Sequence, residues 1–115
     1  MSLKKVEAIV RPGAMKQILL ALDAINYAGV TVSEVQGHGK QKGVKEHYRD
    51  KTTLSLISKM KVEVVCSGEK EAELAIEAIV NATKTGEFGD GKIFVTDLKE
   101  VIRIRTGETG TKAIN

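Results

Sequence analysis

Twice in this chain an alternating apolar pattern gives way to a helical one and then returns. From Lys4 to Val10, Val6, Ala8 and Val10 share one face and Lys5, Glu7 and Ile9 the other, which is the period of a half-buried strand. Pro12-Gly13 interrupts it, with Pro12 near a helix start, where its missing N–H does no harm. Met15, Ile18, Leu19, Leu22 and Ile25 then recur at amphipathic helical spacing, closed by Gly29, and Val30 to Val35 alternates again. The second cycle sets Val62, Val64 and Cys66 against Lys61, Glu63 and Val65. It continues with Ser67 as an expected helix N-cap and with Glu69 and Glu71 in the first turn, where the helix dipole favours negative charge. Ala72, Ala75, Ile76, Ile79, Val80 and Thr83 mark the buried face of that helix, and Lys84 followed by Gly86 its stop. Ile93 to Val95 is a fourth strand, and Val101 to Arg105 reads as a short extended piece.

The order strand-helix-strand, long insert, strand-helix-strand predicts an α+β fold. The expected form is a ferredoxin-like βαββαβ sandwich, with two helices on one face of a four-stranded antiparallel sheet. Ile9 and Val65 on the opposite face predict that self-association buries it. One domain over residues 1–115 is long enough for a proper core. Eighteen basic against fifteen acidic residues leave a charge of +3. With only Tyr27, Tyr48, Phe88 and Phe94 as aromatics, that argues against nucleic acid. Cys66 is the single cysteine, which fits a reducing compartment and a core thiol. No apolar run reaches the roughly 18 residues of a membrane span, and nothing at the start reads as a signal peptide, so a cytoplasmic protein without membrane insertion is expected.

Three clusters carry chemistry. Thr85-Gly-Glu-Phe-Gly-Asp-Gly-Lys92 joins the second helix to the fourth strand. Gly89 and Gly91 let the backbone turn tightly and approach a ligand, successive N–H groups can cup an anion, and Lys92 adds a charge. The run from Gly86 to Lys92 nearly matches a Walker A loop. Ile93 replaces the hydroxyl residue, however, and the order is helix-loop-strand, so a P-loop enzyme is rejected. The insert from Gln36 to Met60 opens with Gly37-His-Gly39-Lys40-Gln41-Lys42-Gly43, a second glycine and lysine cluster in which Gln41 offers a neutral oxygen to a metal. His38 and His47 lack the spacing of zinc ligands. Arg103 and Arg105 form the third cluster. In an extended chain they would project from one face and suit a polyphosphate. Together the three clusters predict a shared nucleotide site.

Several ordered motifs then make the chain similar to the PII nitrogen-regulatory signal-transduction proteins. They are Val6-Glu-Ala-Ile-Val-Arg-Pro12, Thr31-Val-Ser-Glu-Val35, Gly37-x-Gly39-Lys-Gln-Lys-Gly43, Thr85-Gly-x-x-Gly-Asp-Gly-Lys-Ile-Phe-Val95 and Arg103-Ile-Arg-Thr-Gly-Glu108, within a match from about Lys4 to Glu108. The resemblance implies a homotrimer with ATP or ADP in clefts between subunits. It also implies a T-loop, at about residues 37–59, that docks on targets, and a C-terminal extended segment at about 101–115. It assigns nucleotide contacts to Thr31, Gly37, Gly39, Lys40, Glu63, Val65, Gly89, Asp90, Gly91, Lys92, Arg103 and Arg105. It gives 2-oxoglutarate to Arg11, Gln41, Lys42, Gly43 and Lys59, with Gln41 coordinating Mg²⁺ beside ATP.

The loop departs from the family. Tyr48-Arg49 is followed by Asp50-Lys51-Thr52-Thr53, and the tyrosine that some members uridylylate is absent. Tyr48, Arg49 and Lys51 are the candidates for partner docking. The expected target is an ammonium transporter or a nitrogen-assimilation or nitrogenase enzyme, and the expected role is regulatory and not catalytic. A PII-like sensor with a different effector is the nearest alternative. A slow ATPase using Asp90 or Glu63 is a more distant one.

Overall fold

The computed structural model describes residues 3–27, 29–38 and 56–114. Its elements run β1 (Leu3–Val10), a 3-10 turn (Pro12–Ala14), α1 (Met15–Ala24), β2 (Val30–Gly37), β3 (Ile57–Cys66), α2 (Glu69–Thr83), β4 (Lys92–Leu98) and a short α3 (Thr111–Ile114). The four strands form one antiparallel sheet in the order β2-β3-β1-β4, the expected ferredoxin-like topology. In register, Val6 faces Val64 and Val95, so the alternating apolar positions of neighbouring strands meet on one face. Both long helices pack there. Val6, Ala8, Val10, Val62, Val64 and Cys66 meet Ile18 and Leu22 of α1 and Ala72, Ala75 and Ile79 of α2 in one core. Burying a Val, Leu or Ile side chain fully is worth about 1.5–3 kcal/mol, so this layer is the main source of stability.

Neither long helix packs on the opposite face. Lys5, Glu7, Lys61 and Glu63 alternate there as a cross-strand charge ladder, with Lys5 3.1 Å from Glu63 and 3.7 Å from Glu7, and Lys61 3.8 Å from Glu7. The contact with Glu63 holds the Lys5 ammonium above its usual range. Ile9, Val35, Ile57 and Val65 are half-buried on this face, and Phe94 beside them is exposed.

Several boundaries differ from expectation. Helix α1 is closed by Asn26, whose φ of 62° turns the chain left-handed, and not by Gly29. Leu19 and Val80, expected on the buried stripes, are 42% and 37% exposed, because a single sheet face covers only the middle of each stripe. The N-cap of α2 is Gly68, not Ser67, since the helix begins one residue later and leaves the Ser67 hydroxyl outside it. Lys84 is the extended residue that ends α2 and lies outside its last turn.

The insert is shorter than its polar run suggests. Strands β2 and β3 remain paired out to Gly37 and Ile57, which places Gln36, Lys59 and Met60 in the sheet and not in a loop. The piece from Val101 to Arg105 is no strand. It enters a turn closed by the Ile102–Thr109 bridge and by Arg103 N–H donating to the Glu108 carbonyl, with Gly107 at φ 74° making the reversal. Within the expected C-terminal extended segment, Thr111–Ile114 form the short helix α3.

Candidate ligand site

The loop from Thr85 to Gly91, which joins α2 to β4, is built around one carboxylate. Asp90 accepts from the Thr85 N–H at 2.8 Å, the Gly86 N–H at 2.8 Å and the Thr85 hydroxyl at 2.5 Å. The Thr85 oxygen in turn accepts from the Glu87 N–H at 3.1 Å. These bonds, the Thr85 hydroxyl first, hold the Asp90 carboxyl below its ordinary value of 3.8, with Arg11 Nε 3.9 Å away adding to the effect. Gly86, Gly89 and Gly91 take φ values of 86°, 96° and 102°, which only glycine adopts at low cost.

A folded-state value below the unfolded one means that the clamp stabilises the protein above about pH 3.8 and is lost as acid protonates Asp90. Asp90→Asn is therefore expected to melt below the wild type at neutral pH, because a neutral amide oxygen accepts the two N–H bonds more weakly than the charged carboxylate does and loses the attraction to Arg11. That gap should close as the pH falls below 3.8. A gap that stays constant down to pH 2 would remove Asp90 as the clamp.

This loop edges a hollow of about 550 Å³ that gathers Gly37, Lys59, Gly89, Gly91 and Lys92, with Phe88 and Phe94 as its apolar wall. Gly91 fits only because it lacks a side chain: a Cβ there would stand 2.0 Å from the Ile9 carbonyl oxygen. Two ammonium groups and a glycine-lined backbone suit a multiply charged anion. The carboxylates lining the same hollow are Glu87 and Asp90, and the oxygens of Asp90 are already used within the loop.

Thr31, Glu63 and Val65 lie elsewhere, in a second hollow of about 670 Å³. Thr31 and Gly37 are six residues apart on β2, roughly 20 Å at the rise of a strand. Glu63 is paired with Lys5 at 3.1 Å. Tyr27 and Cys66, which the sequence did not single out for this site, also line it. The Tyr27 hydroxyl donates to the Glu71 carbonyl, and burial pushes its pKa up to about 12. Burial also raises the Cys66 thiol, which fits the expected core thiol and makes it a poor nucleophile. The position of Tyr27 just past the helix end was the available signal, and Phe88 inside the glycine loop was another.

The expected basic clusters thus do not converge in one chain. Arg103 turns back to Glu108 at 2.9 Å and to the Lys112 carbonyl at 3.1 Å, while Arg105 is exposed at the turn. Neither joins the two hollows, and the shared face expected for them is absent because their segment bends. Arg11 donates to the Thr83 carbonyl at 2.7 Å, tying β1 to the end of α2. Gly39, Lys40, Gln41, Lys42, Gly43, Tyr48, Arg49 and Lys51 lie outside the described residues. Among the described residues, no helix is long and apolar enough to cross a membrane.

Comparison with known proteins adds to this geometry. The family model "Nitrogen regulatory protein P-II" matches residues 3–108. A nitrogen regulatory protein P-II of Rhizobium meliloti is 50% identical over 97% of this chain and 100% of its own length. "Nitrogen regulatory protein P-II 2" of Methanothermobacter thermautotrophicus is 42% identical over 97% of each chain. Among solved structures, Arabidopsis thaliana PII bound to citrate superimposes with a TM-score of 0.80 at 43% identity, covering 97% of this chain and 92% of its own. Bacillus subtilis GlnK gives a TM-score of 0.80 at 33% identity, covering 98% of this chain and 99% of its own.

Proposed function

Because this chain belongs to the nitrogen regulatory protein P-II family, we propose that it is a cytoplasmic signal transducer that binds ATP or ADP and, with Mg²⁺ and ATP, 2-oxoglutarate. The observation that carries this reading is the hollow between Gly37 and Gly89–Lys92, where Lys59 and Lys92 meet a glycine-edged backbone. Phosphates fit the glycine and Lys92 side, and Lys59 on β3 suits the far carboxylate of a keto acid. The solved relative bound to citrate supports a polycarboxylate as a ligand class for this fold.

The hollow fits a Mg²⁺ carried in by phosphate oxygens better than one caged by protein, since Asp90 is committed to its own loop. Gln41 would hold the ion through its amide oxygen, and the Mg²⁺ would supply positive charge to offset the phosphate and keto-acid oxygens. Thr31, Glu63 and Val65 would take the adenine end, presented by a neighbouring copy because one chain holds the two sets apart. Assembly as a homotrimer through the open sheet face would bring them together and cover Ile9, Val35 and Val65. The segment between β2 and β3, with Tyr48, Arg49 and Lys51, would dock on a target. The candidates are an ammonium transporter or a nitrogen-metabolism enzyme, which makes the chain a regulator and not a catalyst.

Calorimetric titration of 2-oxoglutarate tests the reading. Heat of binding is expected in the presence of Mg²⁺ and ATP and not with ADP, because the keto acid needs the metal that ATP brings. Lys59→Ala should weaken 2-oxoglutarate by about tenfold to hundredfold, the worth of a hydrogen bond to a charged group. No binding with either nucleotide would leave a sensor of adenylate alone, or one with a different effector.

A further inference from the structure

Behind the glycine loop lies a third hollow, on the helix side of the sheet, for which the reading above has no use. It holds about 350 Å³ between the C-terminal half of α2 and β4, at the small end of the volumes that take small molecules. Along α2 the lining passes from Ile76 through Ile79 and Val80 to Thr83 and Lys84, with Val10 and Ile93 of the sheet also lining it.

Thr83 is only 6% exposed, and its hydroxyl has no hydrogen-bond partner among the described residues. A helical threonine ordinarily avoids that cost by bonding a carbonyl in the preceding turn. The charges at this end favour an anion. Arg11 caps the Thr83 carbonyl at 2.7 Å, which answers the negative end of the α2 dipole. The carboxylate of Asp90, which also borders the hollow, is turned to Thr85 and Gly86 with Arg11 beside it. That leaves Lys84, just past the end of α2, as the cation on the rim, since Lys92 is paired opposite Ile9 and so belongs to the other face of the sheet.

We propose that this hollow binds an aliphatic monocarboxylate of medium chain length. The tail lies among Ile76, Ile79, Val80 and Ile93, and the Thr83 hydroxyl donates to a carboxylate oxygen that faces Lys84. A dicarboxylate or a nucleotide would force a second polar group onto the apolar walls and is excluded by that cost.

The test is a titration of octanoate, with octanol as its uncharged match, into the full chain carrying labelled Ile and Val methyl groups. Saturable shifts confined to Ile76, Ile79, Val80 and Ile93 are expected, with octanol about tenfold weaker because it lacks the charge-assisted contact. Lys84→Gln should narrow that difference. Val80→Phe, at a position 37% exposed where a larger ring is tolerated, should block both ligands by filling the hollow. Thr83→Val should weaken octanoate without lowering the melting temperature, since it removes a hydroxyl that has no partner. Shifts that do not saturate, shifts centred on other methyls, or equal affinity for octanoate and octanol would each overturn the proposal. So would a Lys84→Gln variant that keeps the full difference. The measurement uses no nucleotide and is independent of the nucleotide reading.

Discussion

Gly91→Ala is expected to destabilise the protein by about 2–4 kcal/mol, the sum of an overpacked contact and a left-handed backbone forced on a residue with a side chain. The new methyl group would stand 2.0 Å from the Ile9 oxygen, 3.1 Å from its carbonyl carbon and 3.2 Å from the Val10 Cα. All three atoms belong to the backbone of a core strand and cannot swing aside. At about 4 °C per kcal/mol for a domain near this size, the melting temperature should fall by about 10 °C. Gly86→Ala is the control. Its φ of 86° carries the same kind of strain, yet nothing lies within 4 Å of the added Cβ, so it should cost only about 1 kcal/mol. Denaturant unfolding of both variants separates the terms, and equal losses would show that β1 yields and the contact is soft.

Mixing two defective variants should restore nucleotide binding that neither has alone. Lys92→Ala damages the hollow at Gly37 and Gly89–Lys92, whereas Glu63→Ala damages the one that contains Thr31 and Val65. If one copy supplies each half, random reassembly of an equal mixture makes about a quarter of the sites intact, half times half, in a ring of head-to-tail contacts. Binding stoichiometry after denaturation and refolding of the mixture reads this directly. Recovery near zero would place both halves of the site in the same chain and sink the shared-site reading.

The elements were legible in the sequence where burial imposes a period. Val6, Ala8 and Val10 against Val62, Val64 and Cys66 define two central strands, and Ile18, Leu22, Ala75 and Ile79 the helix faces that cover them. Legibility fails at the margins, for physical reasons. Gln36 and Ser58 pair in the sheet through their backbones, beyond the reach of the helices, so no hydrophobic signal marks that stretch of β2 and β3. Asn26 closes α1 because its short polar side chain tolerates a left-handed backbone, which the more obvious glycine three residues on obscures. The bend at 103–108 depends on Gly107 and on the contacts of Glu108, and no period records it.

The site divides in the same manner. The glycine run and Lys92 announced an anion cradle, and the structure gathers Gly37 and Lys59 with them. What the linear order hid was distance. Thr31 and Gly37 share a strand, yet they serve opposite ends of it. The resemblance places Asp90 among the nucleotide contacts, and the structure shows its carboxylate oxygens holding the loop that presents the others.

The separation of the two hollows along β2 has a further consequence. A site assembled from two copies exists only in proportion to the assembled fraction, so its occupancy depends on the amount of protein as well as on the ligand. If the site is shared between copies as proposed, dilution below the association threshold would silence it without any change in metabolite. Expression level would then become a second input, and a ligand bridging two copies would itself hold the assembly together.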